Sequence, residues 1–460
     1  MSGVTPMGAG ASTQQLSAHD AEIAKLKARL KELEANAPHL EKRDTTLSIA
    51  EGTISGKLTR QHTREQPFLE HSSSRLGLAK KGEEVDYELH ARTPEDVPEF
   101  NTEYERGEAN KPWKVIDCHL HLMDFLQKSE GTTSMMLAMN EANVSKSVVF
   151  GMPCCKKWEQ QEPSPPLYYQ DDNADCYVYS YADQMVADSW QALPKTLRKR
   201  YAPCFASFDP CDKYAIAHVE RMWNKYPGMW RAVGEVMCRH DDLTTMLQDK
   251  ECPTANHPGL KPIYEFCCEK DIPIIIHHNS TQMLEEDGSW EYLWEVEEVL
   301  DQFPDLKFVW AHCGVSRRVS EPMHHKMCDM MLRKHPNMYL DMSWVVWEDV
   351  ICDANKVPRQ EWLQVIERHQ DRCLIGSDQV GQFEGLLHKE ITKYYKLFER
   401  LSTTAADKVA YGNCQKLFFD QTNVSKSLDF AAGDYDQMQP VLNAERLLHK
   451  EGKFQKIGLY

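Results

Sequence analysis

Residues 114–121 read KVIDCHLH, and the fold turns on how that stretch is understood. Val115 and Ile116, both β-branched, open an apolar run that two histidines, His119 and His121, close. Residues i and i+2 of a strand project to one face, so both imidazoles point the same way at the strand's C-terminal end. Further short runs of the same kind follow: SKSVVFGM (145–152), RYAPCFASF (200–208), WRAVGEV (230–236), DIPIIIHH (271–278), LKFVWAHC (306–313), NMYLDMS (337–343) and DRCLIGSD (371–378). Between them lie stretches with helical spacing. KPIYEFCCEKD (261–271) gathers Ile263, Phe266 and Cys267 on one face, and EYLWEVEEVLDQFP (291–304) gathers Leu293, Val296 and Leu300.

Eight strand candidates alternating with helices predict an α/β fold, a parallel (β/α)8 TIM barrel, over residues 113–421. A doubly wound open sheet is the competing arrangement. It wants a glycine-rich phosphate loop after the first strand, and neither G-x-G-x-x-G nor a Walker loop is present.

The barrel does not account for the whole chain. All 15 cysteines and all 11 tryptophans lie at or after Trp113, and residues 1–112 hold only Phe68, Tyr87, Phe100 and Tyr104 as aromatics. That is too few large side chains for an independent core, so 1–112 reads as an extension. Within it AHDAEIAKLKARLKELEAN (18–36) is a helix with Ile23, Leu26, Leu30 and Leu33 at heptad spacing, ended by Pro38. It either self-associates, making a homo-oligomer, or packs on the protein's own surface. The rest of the extension is an arm against a neighbouring surface, and residues 422–460 are a tail on the barrel or a partner subunit.

Composition narrows the function. Of 460 residues 42% are hydrophobic, enough for a large core, and 53 Lys and Arg against 70 Asp and Glu leave a net charge of −17. Nucleic acid and anionic membrane both demand a basic footprint and are not expected partners. No run approaches the ~18 apolar residues of a membrane span. The N-terminus lacks a basic and then apolar leader, so the cysteines read as reduced thiols in a cytoplasmic protein.

The chemistry lies in where the metal-type side chains fall. His119 and His121 end the first strand, Glu235 lies near the end of the fourth and His277 ends the fifth. His312 ends the sixth and Asp378 the eighth. Taken alone, each is an ordinary polar strand-end residue. In a TIM barrel the C-terminal strand ends form the active-site floor, so the set converges on one small volume. Neutral imidazole with carboxylate suits a divalent metal, Zn²⁺ first, with Fe²⁺ or Mn²⁺ as alternatives.

The segments DCHLH, IIIHH, WAHCGVS and LIGSD resemble, in that order, the signature segments of the amidohydrolase superfamily. The likeness is to its amidohydrolase-related branch (amidohydrolase 2), which groups metal-dependent hydrolases with non-oxidative decarboxylases. ADKVAYGNCQKLF (406–418) is similar to that branch's closing helix, and the resemblance runs from Val115 to Phe419. It implies that His119, His121, His277 and Asp378 bind a first metal. His312 then acts on the substrate or ligates a second ion, and Asp378 doubles as general base. GEV, with Glu235, resembles the TatD-type hydrolases, in which a carboxylate here bridges two metals. The alternative is a Glu that orients a histidine ligand.

Loops after the strands should face the substrate. The segment 153–172 carries Trp158, Tyr168 and Tyr169 as a lid or wall, and Trp344 and Trp347 after the seventh strand suit an apolar or aromatic substrate. Arg239 and Arg317 are placed to clamp a substrate carboxylate, or else are ordinary solvated charges. The expected function is hydrolysis of an amide, ester, lactone or related bond of a small molecule, by metal-activated water with Asp378 carrying the proton. The alternatives are non-oxidative decarboxylation of an aromatic or unsaturated acid and, more remotely, a non-catalytic scaffold.

Overall fold

Strand runs that are apolar on both faces need cover on both sides, and the computed structural model supplies it as a closed parallel barrel inside a ring of helices. It describes residues 93–108, 111–244, 252–282, 289–316, 319, 322–344 and 346–421. The expected helix 18–36, the arm up to residue 92, Arg317 and the 422–460 tail lie outside the described residues.

The chain alternates as the sequence predicts. β1 (Val115–His121), α1 (Gly131–Glu141) and β2 (Val144–Phe150) come first, followed by a small antiparallel hairpin of β3 (Cys154–Lys156) and β4 (Cys176–Val178). The series continues with α2 (Tyr181–Ala192), β5 (Tyr201–Phe205), α3 (Ala215–Lys225), β6 (Ala232–Met237), α4 (Lys261–Lys270) and β7 (Ile274–His277). Then come α5 (Leu293–Gln302), β8 (Phe308–Ala311), α6 (His324–Lys334), β9 (Met338–Asp341), α7 (Gln360–Arg368) and β10 (Cys373–Leu374). β11 (Gln379–Val380) and α8 (Leu386–Thr392) end the repeat. The nine-stranded sheet runs β10-β9-β8-β7-β6-β5-β2-β1-β11, and each of its ladders is parallel.

The eighth strand is split, and that split closes the barrel. β10 pairs with β9 on one side, while β11, a few residues on, pairs with β1 on the other. Between them Cys118 N donates to Ile375 O at 3.0 Å and Asp378 N to His119 O at 2.9 Å. A Cβ on Gly376 would stand 2.8 Å from that of His119, so the seam admits only glycine there.

Strand alternation produces two cores. Ile116, Cys118, Val148, Phe150, Ala202, Cys204, Ala232, Ile275, Val309, Ala311 and Leu374 fill the barrel interior, where Cys414, Leu417 and Phe418 join them. Those three residues come from the helical segment 403–419, which plugs the end where the strands begin. Asn413 pins the plug by donating to the Gln370 and Cys373 carbonyls at 2.7 and 2.8 Å. The outward residues, among them Val233, Ile276, Phe308, Trp310 and Leu340, pack under the helices. All 15 cysteines are free thiols, and most are buried among these side chains.

The described part of the extension lies on the plug. Tyr104 Oη donates to Asp407 at 2.6 Å, Arg106 pairs with the same carboxylate, and Tyr411 Oη donates to Thr102 O at 3.0 Å. Among the described residues no helix is long and apolar enough to cross a membrane.

Candidate metal centre

At the other end of the barrel the inward face turns from apolar to ligating. β1 carries a register shift between Asp117 and Leu120. Regular alternation would send Cys118 and His119 to opposite faces; the bulge turns both inward, and His121 follows on the same side. Asp117 accepts from His119 N at 3.0 Å and from Ser377 Oγ at 2.6 Å, tying the bulge to the seam. His119 and His121 then stand with ring centroids 5.3 Å apart, both edge-on to Phe150.

Glu235 lies at the centre of the cluster. Gly234 before it has φ +135°, and a Cβ there would meet Ile275 Cβ at 2.6 Å, so glycine lets the strand pass close to β7. The carboxylate's two oxygens face different imidazoles. Oε2 lies 3.6 Å from His119 Nε2 and 3.4 Å from His121 Nε2. Oε1 lies 3.1 Å from His277 Nδ1 and 3.2 Å from His312 Nε2. Asp378 Oδ1 completes the first group, 3.4 Å from His119 Nε2 and 3.5 Å from His121 Nε2. His312 sits just past β8 and Asp378 in the break between β10 and β11, at φ 55° and 51°, in the left-handed region. A turn so placed re-aims a side chain toward the barrel axis and costs backbone strain.

Surrounding groups orient each ring. His119 Nδ1 is 2.7 Å from Asp341 Oδ2, His121 Nδ1 is 3.1 Å from Gly151 O and His312 Nδ1 is 3.0 Å from Ser343 Oγ. Holding the proton on Nδ1 leaves the Nε2 lone pair for the centre. His240 stacks on His277 at 4.2 Å with 25° between planes.

Electrostatics fit a cation. His119 Nε2 is fully buried and has no hydrogen-bond partner, a cost unless something binds its lone pair. Burial would raise Glu235, yet the charge and hydrogen bonds of His119, with those of His121 and His277, hold it well below the usual carboxylate range. Asp378 is likewise held down against burial, by His121 and His119. Burial and then the neighbouring His240 push His277 down to about 3, leaving it a neutral ligand at ordinary pH. Three overlapping groups, His119–His312–Asp378, His119–His121–Glu235 and Glu235–His277–His312, each bring their donor atoms within 4.8 Å of one another. Two buried carboxylates among four imidazoles are a donor set for divalent ions.

The six metal-type residues are therefore brought together. His277 faces the opposite Glu235 oxygen from His119, His121 and Asp378. The substrate residues divide more sharply. Trp344 lines the pocket with Phe125, Tyr168 and Tyr169, its ring 5.2 Å from His312. Trp158 is 56% exposed, donates to Glu162 O at 3.0 Å and does not line the pocket. Trp347 is buried edge-on against Tyr394, a packing residue. Arg239 is turned away, its Nε 3.0 Å from Glu295 Oε2 and its guanidinium 4.0 Å over the Tyr292 ring. Asp341, Ser343 and His240 are the additions from the structure. Asp341 and Ser343 repeat in β9 the i, i+2 spacing of His119 and His121, a signal present in DMS (341–343).

A family profile described as amidohydrolase matches residues 116–419. Among solved structures, an uncharacterised TIM-barrel protein from Bordetella bronchiseptica is 16% identical, with 66% of this chain and 97% of that one covered at a TM-score of 0.43. 4-Oxalomesaconate hydratase from Rhodopseudomonas palustris is 12% identical, with 72% and 99% covered at 0.40. Dihydroorotase from Campylobacter jejuni is 15% identical, with 66% and 82% covered at 0.37. No curated protein matches. With a profile match across most of the chain, over the very segment that builds the barrel and its ring of donors, the protein belongs to the amidohydrolase family, whose members are metal-dependent.

Proposed function

We propose that the protein is a hydrolase that cleaves an amide, ester, lactone or related bond of a small molecule, with Glu235 shared between two divalent cations. The observation that carries this reading is the division of the Glu235 carboxylate, Oε2 toward His119 and His121 and Oε1 toward His277 and His312. His119, His121 and Asp378 would hold one ion and His277 and His312 the other, with Zn²⁺ best matched to the donors and Fe²⁺ or Mn²⁺ as alternatives. When bound, such ions polarise the scissile carbonyl and make water nucleophilic at neutral pH.

The chain's own residues do the rest. Asp378, ionised and lining the pocket, takes the proton from the attacking water and returns it to the leaving group. Asp341 and Ser343 keep His119 and His312 from rotating, which fixes where the carbonyl is received. Phe125, Tyr168, Tyr169 and Trp344 wall the pocket and exclude bulk water from the apolar part of the substrate. Decarboxylation would instead want a cationic side chain at the substrate carboxylate, and Arg239, the described candidate, is committed to Glu295.

Elemental analysis of protein purified without chelators tests the proposal. About two metal equivalents per chain, with turnover of an amide, ester and lactone panel abolished by chelator and restored by Zn²⁺, is the expected result. One equivalent would return Glu235 to an orienting role and His312 to the substrate, and overturn the shared-carboxylate reading.

A further inference from the structure

One wall of the pocket is polar and takes no part in the metal centre. Glu390, on α8, lines the same cavity as Asp378, His312 and Trp344 but makes no hydrogen bond or ion pair to the metal-type side chains. It is only 9% exposed. Its Oε2 accepts from Lys393 Nζ at 2.6 Å, and Oε1 has no hydrogen-bond partner among the described residues. Lys393 Nζ also lies 3.7 Å from Glu348 Oε2 and 3.5 Å from the Trp344 carbonyl. One ammonium thus lies between two carboxylates, much closer to Glu390.

A carboxylate oxygen that lines a cavity without a protein donor is open to a ligand, and a ligand that supplies a donor gains a charge-assisted hydrogen bond. Lys393 fixes the direction of Glu390, so the acceptor is already placed when a ligand arrives. The neighbouring walls include Phe125, Tyr168, Tyr169 and Trp344, aromatic rings whose faces attract a cation more than a neutral donor. A ligand carboxylate would instead meet the Glu390 carboxylate and would have to take Lys393 from it.

We propose that Glu390 determines specificity by receiving the protonated amine of the substrate. This rests on the hydrolase reading for what happens at the other end of the molecule. The carbonyl is received at the metal centre, an apolar or aromatic middle lies along Trp344, and the ammonium meets Glu390. Lys393 is a positioning residue.

The test measures binding, so it does not depend on turnover. Benzylammonium, benzyl alcohol and benzoate are titrated by ligand-observed NMR into the metal-loaded full chain and into Glu390→Gln, whose fold and metal content are checked by melting and elemental analysis. The wild type should bind benzylammonium about tenfold more tightly than benzyl alcohol, and Glu390→Gln should lose that preference while benzyl alcohol is unaffected. Equal affinities in the wild type overturn the proposal, and that arm stands even if the variant does not fold. An unchanged preference in Glu390→Gln also overturns it, as does benzoate binding that a Lys393→Met variant abolishes. Should amine selectivity appear without hydrolysis of any amide, ester or lactone, the hydrolase reading fails and the Glu390 site stands.

Discussion

The two ends of this barrel are built from the same strands and do opposite things. Where the strands begin, the inward positions are Ile116, Val148, Ala202, Ala232, Ile275 and Val309, sealed by Cys414, Leu417 and Phe418. Where they end, the inward positions are His119, His121, Glu235 and His277, with His312 one step beyond and Asp378 in the break of the split strand. The first end lowers free energy by excluding water; the second holds charge and orphaned lone pairs that cost free energy until a cation arrives. A single strand therefore carries stability in its first half and reactivity in its second, and the two should separate on mutation.

The sharpest break comes at Glu235. Glu235→Gln should lower kcat by about 10³-fold or more and remove at least one metal equivalent, read by steady-state kinetics and elemental analysis. The metal-free chain should lose some stability as well, because the histidines paired with this buried carboxylate are left without it. At the opposite end Phe418→Ala should cost about 3–5 kcal/mol in urea unfolding while leaving kcat per folded molecule unchanged. A loss of activity in proportion to stability would mean that the two ends are coupled. Asp341→Asn tests the layer between them. Its effect should be about 10–100-fold on metal affinity, through the freed His119 ring, with little change in the denaturation midpoint.

The smallest effect lies on the outer shell, away from both ends. Burial works to raise Asp329, but Arg368, His369 and Arg333 hold its carboxyl down to about 2. A depressed carboxyl contributes stability that is present above its ordinary value and lost as pH falls toward 2. Because the cluster lies at the surface and its arginines are about half exposed, solvent screens the pairing and the contribution is small. Asp329→Asn should flatten stability between about pH 4 and pH 2 and leave the neutral melting temperature and the activity profile alone.

Much of this architecture was legible in the sequence because barrel strands are bounded, apolar and β-branched. Each of the eight runs holds a barrel strand, and the strand-end rule put all six metal-type residues at one mouth. Which oxygen of Glu235 each histidine faces was not legible, since that depends on how β6 and β7 are registered. Loop side chains failed for a related reason. A tryptophan's hydrophobicity predicts that it seeks cover but not from what: Trp344 found the pocket, Trp347 found Tyr394, and Trp158 stayed on the surface. Arg239 was claimed by Glu295, 56 residues along the chain, a pairing that no local pattern announces. Glu390 gave no signal at all, because a glutamate on an amphipathic helix looks the same whether it meets solvent or a cavity.

The split eighth strand has a consequence for how the enzyme comes into being. Asp378 sits on the seam, its backbone amide among the bonds that join the last strand to the first. Completing the ring and bringing this carboxylate to the histidine cluster are therefore one event. During synthesis the histidines of β1 emerge hundreds of residues before their acidic partner, and an unfinished ring contains most of the donor cluster but not Asp378. The full donor set is assembled only when nearly all of the barrel has been made, so its presence certifies that the barrel has closed.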